Sequence, residues 1–211
     1  MSLKSDLYLE RIDIEKYLPQ GVCKKSCGLT SCKEWLRLLQ ERKEQTPPCR
    51  QITPNFAYAV EVVLSLNAFL PEIEITQHPV AGIVGLHEIN QAGPESPVLV
   101  SGNALSTQEV LMAILSTTTA PFYLLCVDCL GHTVDMAMVY QTFTAESVLK
   151  AIDETQLAFR VKHRELILPG ITAPIKNDIE AKTGWTVKVG PCCAGELPLF
   201  LGELWRKPPC T

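Results

Sequence analysis

From Pro97 to the C-terminus, short uninterrupted apolar runs alternate with longer amphipathic stretches. Short apolar runs bounded by turn residues predict buried strands, and apolar positions three and four apart predict helices. The pattern gives a strand at Val98–Val100, a helix at Thr107–Leu115 behind a Ser106-x-x-Glu109 capping box, and a strand at Phe122–Val127. It continues with a helix at Ala145–Ala151 behind Thr144, a strand at Leu166–Leu168, a helix starting near Pro174, a strand at Thr186–Val189 and a helix from about Leu197 to Trp205. Strands apolar on both faces, separated by helices, make a mostly parallel sheet covered on both sides: an α/β fold of Rossmann-like, three-layer type.

Upstream the pattern is less regular. Ser31-Cys-Lys-Glu34 predicts a helix start that places Cys32 in the first turn of a helix through Trp35, Leu36 and Leu39, fraying before Pro47-Pro48. The apolar residues between Phe56 and Leu70 fit neither period, so helix and strand both stay open there. Glu72–Thr76 alternates like a half-exposed strand and Gly82–Ile89 reads as another, the two pairing as a hairpin or flap before Gly93-Pro94. The expected organisation is a front module over residues 1–53, a connecting segment over 54–96 and the α/β domain over 97–211.

Composition narrows the class. The chain has 211 residues, 46% of them hydrophobic, enough to fill a core. Its net charge is −4 with no Lys/Arg-rich block, so nucleic acid is not an expected partner. The longest apolar stretch, 57–70, is broken by Glu61, Ser65 and Asn67 and falls short of the roughly 20 residues a membrane span needs. The N-terminus is too charged for a signal peptide, so the expected localisation is cytoplasmic, without membrane association. Nine cysteines in such a context favour reduced thiols and metal ligation over a disulfide framework.

Four of those cysteines, Cys23, Cys27, Cys32 and Cys49, form a C-x3-C-x4-C-x16-C pattern that can close around an iron-sulfur cluster or a zinc ion, because both take four soft ligands. Spacing alone leaves cluster and zinc open. A helix of about ten residues from Cys32 advances roughly 15 Å, and the remaining residues, at up to about 3.3 Å each, bring Cys49 back. At the strand ends lie four turn-rich loops, Ser101–Thr107, Asp128–Thr133, Pro169–Thr172 and Gly190–Gly195. Ligands of such sheets sit beyond the strand C-termini, and glycine-rich loops let backbone approach a flat ligand, although βα loops are turn-rich in any case. Cys126 reads as core and Cys129 as placed to touch the ligand. The vicinal pair Cys192-Cys193 reads as redox-active, metal-binding or, more simply, as small packing residues. The four histidines show no paired metal-ligand spacing.

LPQGVCKKSCGLTSCKEW at the front, with PVLVSGNALST, LLCVDCLG, KHRELILPG and GWTVKVGPCCAGELPLFL behind, resembles the corrinoid iron-sulfur protein large subunit, the gamma subunit of the acetyl-CoA decarbonylase/synthase system, over residues 17–49 and 97–205. The resemblance implies a [4Fe-4S] cluster on Cys23, Cys27, Cys32 and Cys49, in place of that family's C-x2-C-x4-C-x16-C, and a cobalamin or other corrinoid held base-off without a His ligand. It places Asn103, Ser106 and Thr107 near the lower face of the corrin. It also implies that Gly131, His132, Thr133, Met136 and Ala137 would cap the ring, with Asp128 a further contact, and that Pro169, Gly170, Gly190 and Pro191 would receive the nucleotide tail, with Cys192 and Ala194 on the same loop. PVLVSGN, LILPGITAP and TVDMAMVYQTF are also similar to the mercury-methylating corrinoid protein.

Departures limit what is carried over. Residues 50–96 leave no room for the (β/α)8 barrel between the two ends of the large subunit, which takes ~250 residues. Met136 stands where the mercury-methylating branch has its cobalt-ligating Cys, and Val139-Tyr140 where it has Gly-Lys, which disfavours mercury methylation. No D-x-H-x-x-G element is present, and no acid-base constellation marks a stand-alone enzyme. The expectation is a methyl and electron carrier of anaerobic one-carbon metabolism. It would work with a methyltransferase or small corrinoid-protein subunit and an electron donor such as ferredoxin. The rivals are a [4Fe-4S] electron-transfer accessory without corrinoid, and a zinc-bound structural adaptor.

Overall fold

The computed structural model describes residues 2–4, 9–19, 28–41, 49, 51–74, 76 and 78–209. In chain order the elements are β1 (Ser2–Lys4), α1 (Cys32–Gln40), α2 (Pro54–Leu64), α3 (Leu66–Phe69), β2 (Glu72–Glu74), β3 (Gly85–Ile89), β4 (Val98–Gly102), α4 (Leu105–Leu115) and β5 (Phe122–Val127). There follow α5 (Val134–Val139), α6 (Ala145–Glu154), α7 (Leu157–Arg160), β6 (Glu165–Leu168), α8 (Lys176–Thr183), β7 (Thr186–Val189) and α9 (Leu197–Leu201). The main sheet has the order β3-β5-β4-β6-β7, with β3 antiparallel and the other four parallel. The chain steps from β4 outward to β5 and then back across β4 to β6, which puts a topological switch point between β4 and β6.

Alternate strand residues feed two cores. Leu99, Phe122, Leu124 and Cys126 pack with Leu111, Ile114 and Leu115 of α4, with α2 and with α9. Val98, Val100, Tyr123, Leu125, Val127, Leu166 and Leu168 pack with α5, α6, α7 and α8 on the other face. A side-chain period of two makes this division automatic. Fully burying each Leu, Ile, Val or Phe contributes about 1.5–3 kcal/mol. Ile14, Leu18, Trp35, Leu36 and Cys49 belong to the first core, so the front of the chain shares its packing with one face of the sheet.

Helix starts follow their side chains where a cap is free to act. Ser31 accepts from the Glu34 amide at 3.2 Å, while the Glu34 carboxylate reaches back to the Thr30 amide at 2.8 Å and hydroxyl at 2.7 Å. Thr53 caps α2, with Pro54 in the first turn, and Thr144 with Ser147 forms a reciprocal capping box on α6. The open stretch 56–70 is helical, as α2 and α3. Three expectations are corrected. Helix α4 starts at Leu105 with Ala104 as N-cap, not behind Ser106, because the Val80 carbonyl accepts the Leu105 amide at 2.9 Å. The segments around β2 and β3 do not pair with each other: β2 pairs with β1, and β3 with β5. The helices near Pro174 and Trp205 are partly 3-10, at Gly170–Ile175 and Gly202–Leu204. No helix among the described residues is long and apolar enough to cross a membrane.

Candidate functional site

The site begins at one buried amide. Asn103, 1% exposed at the end of β4, accepts from the Cys129 amide at 2.8 Å and the Gly131 amide at 3.1 Å, and donates to Asp128 at 3.4 Å. Asp128 in turn accepts from the Leu130 amide at 3.1 Å. The side chain expected at the ligand is thus spent on shaping the loop after β5, which turns through left-handed Leu130 and Gly131 (φ +57° and +76°). Gly131 is required there: a Cβ would lie 2.7 Å from the Ala81 nitrogen. Residues 80–82 lie antiparallel to 103–105, with the Gly82 amide donating to the Asn103 carbonyl at 2.7 Å, and lace three segments together over the end of β4.

A second lacing joins β6 to β7. The Gly170 amide donates to the Pro191 carbonyl at 2.9 Å, and a Cβ on Gly170 would lie 2.7 Å from Cys192 Sγ. Pro169, Gly170, Gly190 and Pro191 are therefore together, as half-buried backbone. Ser106 and Thr107 sit half-buried in the first turn of α4, and Thr133 is the N-cap of α5. The ring of His132 lies 4.8 Å from that of Tyr140. Met136 is exposed, whereas Ala137 is fully buried and Ala194 packs against the first core.

The cysteines divide by burial. Cys129, expected at the ligand, is fully buried, and burial pushes both its thiol and that of Cys126 up to about 11, so both are neutral at physiological pH. Cys192 is exposed, and burial raises the thiol of the half-buried Cys193. Cys193 has extended backbone, so neighbouring side chains turn to different sides. At the front, Cys32 opens α1 and packs against the first core, in which Cys49 is buried. Helix α1 has nine residues, a rise of about 13 Å. Cys23 and Cys27 lie outside the described residues, and among the described residues no three His, Cys, Asp or Glu side chains are grouped to hold a metal.

What the sequence pattern did not single out is the apolar surface at this end of the sheet. Val80, Leu105, Leu130, Met136, Val139, Tyr140 and Ile171 are all at least 38% exposed: Val80, Leu130 and Ile171 on loops or turns, Leu105 opening α4, and Met136, Val139 and Tyr140 along and just after α5. The polar groups beneath them are satisfied internally, so the rim offers apolar area with little free acid-base chemistry, which suits a large, flat, mainly apolar ligand. The one signal for it in the sequence is apolar residues placed inside turns, such as Leu130 before Gly131.

The fold is an open, mostly parallel α/β domain of Rossmann-like type, with the apolar rim at its strand C-termini. The chain belongs to the family described as CO dehydrogenase/acetyl-CoA synthase delta subunit, which matches residues 62–201. It is 38% identical over 117 residues to the acetyl-CoA decarbonylase/synthase complex subunit gamma of Methanopyrus kandleri, covering 56% of this chain and 25% of that protein. The same subunit of Archaeoglobus fulgidus is 34% identical over 127 residues, 60% of this chain and 27% of the relative. The corrinoid/iron-sulfur protein large subunit of Moorella thermoacetica is 35% identical over 115 residues, 54% of this chain and 26% of the relative. The chain spans about a quarter of the length of these curated relatives.

Proposed function

We propose that this chain is a compact corrinoid and iron-sulfur protein that carries a methyl group on the cobalt of a bound corrinoid, or keeps that cobalt reduced, in one-carbon metabolism of the acetyl-CoA decarbonylase/synthase kind. The observation that carries the reading is the apolar rim at the strand C-termini, in a chain whose relatives are named as corrinoid/iron-sulfur and decarbonylase/synthase subunits. On this reading the corrinoid would be base-off: His132, the histidine of the loop after β5, lies against Tyr140 with ring centroids 4.8 Å apart and planes tilted by 36°, and is assigned no cobalt-ligating role. Leu130, Met136, Val139 and Ile171 would face the ring. The laced loops of β6 and β7 would hold amide groups of the periphery. Cys23, Cys27, Cys32 and Cys49 would hold the cluster, which supplies a low-potential electron when bound. Methyl donor and acceptor proteins, a small corrinoid-protein subunit and a ferredoxin-like donor are the partners this reading requires.

One observation favours the electron-transfer rival. Helix α5 contacts both β4 and the Gly170–Ile175 turn, and so covers the switch-point crevice where a ligand would enter most deeply. Anaerobic purification with iron, sulfide, zinc and cobalt analysis, followed by cobalamin titration in the visible range, separates the readings. About four irons per chain with a base-off spectrum, abolished by Leu130→Glu without loss of iron, supports the carrier. Iron without any cobalamin response moves the function to electron transfer, and zinc alone ends both.

A further inference from the structure

A corrinoid has two parts to place: the flat ring, for which the rim offers apolar area, and the nucleotide tail, a planar heterocyclic base joined through a ribose and one phosphodiester. The loops to which family resemblance gives the tail are closed to it. The Gly170 amide donates to the Pro191 carbonyl at 2.9 Å, and the Gly190 amide donates to the Leu168 carbonyl at 2.8 Å. A single methyl on Gly170 would already lie 2.7 Å from Cys192 Sγ and 2.8 Å from the Gly190 carbonyl oxygen. A ring much larger than a methyl group finds no space between these loops. The switch-point crevice is filled as well. Helix α5 lies over it, and a Cβ on Gly102 would touch Cys129 Sγ and the His132 carbonyl oxygen, both at 3.4 Å.

Space of the right size lies on the inner side of α5. A groove of about 630 Å³ opens between the first turns of α6 and α8, within the range of small-molecule sites. Its floor is apolar, built from Met138, Phe143, Ala145 and Ile175. That floor borders the rim. Ile175 ends the turn that carries the exposed Ile171, and Met138 stands on α5 opposite the outward row of Met136, Val139 and Tyr140, which share a face at helical spacing. The charged walls decide what the groove accepts. Lys182 pairs with Glu146 at 2.9 Å, and Asp178 stands in the first turn of α8. With one cation against two carboxylates, the lining repels a free nucleotide carrying about two phosphate charges or more. A tail with a single phosphodiester brings one charge, which Lys182 can share.

We propose that this groove is the seat of the corrinoid's nucleotide tail, with the base on Phe143 and Ile175, the phosphodiester at Lys182, and the ring on the rim across α5. The proposal rests on the corrinoid reading above. It gives the displaced base of a base-off corrinoid a site of its own, away from the laced loops of β6 and β7.

The test compares cobalamin with cobinamide, the same corrinoid without its nucleotide tail, by titration of the full chain in the visible range. Cobalamin should bind about tenfold tighter or more. Ala181→Trp, at an exposed position of α8 that lines the groove, should bring cobalamin down to the affinity of cobinamide and leave cobinamide within about twofold. Iron content and melting temperature should stay unchanged. Asp178→Trp fills the groove from one turn earlier, so a folding defect in the first variant does not decide the matter. Leu130→Glu, on the rim, should weaken both corrinoids alike. Three results overturn the proposal while the carrier reading stands: equal affinities in the wild-type chain, discrimination that survives both tryptophan variants, or tryptophan variants that weaken both corrinoids alike. Binding of neither corrinoid overturns both.

Discussion

Asn103 was expected near a ligand on family resemblance, yet its carboxamide holds two amides and a carboxylate of its own protein. Asn103→Ala leaves the Cys129 and Gly131 amides buried without acceptors, at about 1–3 kcal/mol each. The expected loss is about 2–6 kcal/mol, or roughly 4–24 °C in melting temperature, and, if the chain holds a corrinoid as proposed, cobalamin binding is lost with it. Asn103→Asp restores the acceptor but sets a carboxylate against Asp128, and should recover only part of the stability. Wild-type stability in either variant would show that the loop is shaped by something else. The buried thiols give a second expectation. Cys126 and Cys129 are raised to about 11, so their neutral forms are favoured in the fold. A raised pKa contributes stability fully below the unfolded thiol value, about 8.5, and loses it as pH climbs toward 11. The burial-raised hydroxyls of Tyr17 and Tyr58 add in the same direction. Urea midpoints should therefore fall steeply between about pH 9 and 11, and Cys126→Ala should flatten part of that slope. An unchanged slope in the variant would exclude the thiol as its source.

At the scale of elements, the front of the chain, already packed on the first core, is also tied down by one buried carboxylate. Glu196, 6% exposed just before α9, pairs with Lys16 at 2.6 Å and accepts from the Tyr17 hydroxyl at 3.3 Å, while Leu9 and Ile12 close over Gly195. Hydrogen bonding to Glu196 raises the Lys16 pKa, so this contact too weakens as pH rises past the ordinary lysine value. Because Lys16 is half-exposed, Glu196→Gln should cost only about 1–2 kcal/mol. Hydrogen exchange should nevertheless rise selectively over residues 9–19; an increase spread evenly over the chain would mean that the contact is incidental. These contacts also mark where the sequence was legible. Strand β5 ran to its predicted ends because its apolar run is buried on both faces, β7 did so with Val187 buried between exposed Thr186 and Lys188, and Ser31 and Thr144 cap helices because nothing competes for the amides they bind. Ser106 misled because the Val80 carbonyl, from a distant segment, already satisfies the Leu105 amide. The partners of β2 and β3 were equally hidden, since Ser2–Lys4 and Phe122–Val127 lie far away in sequence. The loops of the site were visible as turn chemistry. Their apolar rim was not, because exposure of Leu130 or Val139 is a property of the assembled fold.

For the whole molecule the question is whether the cysteine-bearing front and the α/β sheet fold as one unit. The three tryptophans are placed to answer it: Trp35 on α1 and Trp205 after α9 lie in the first core, and Trp185 before β7 lies in the second. All three are at most 4% exposed, so each reports its surroundings by fluorescence. The two cores are opposite faces of the same strands, and losing β5 exposes Phe122 and Leu124 on one side and Tyr123 and Leu125 on the other. Neither face can therefore unfold far without the other. Variants retaining one tryptophan each should give coincident urea transitions. Metal loading at the front, to the extent that it favours the folded state, should move all three midpoints together. If instead Trp35 melts first while Trp205 and Trp185 stay native, the front is an independent module despite its shared packing. A cluster held there as proposed would then swing relative to the rim, whereas a single transition would fix it at one distance from the surface where a corrinoid would lie.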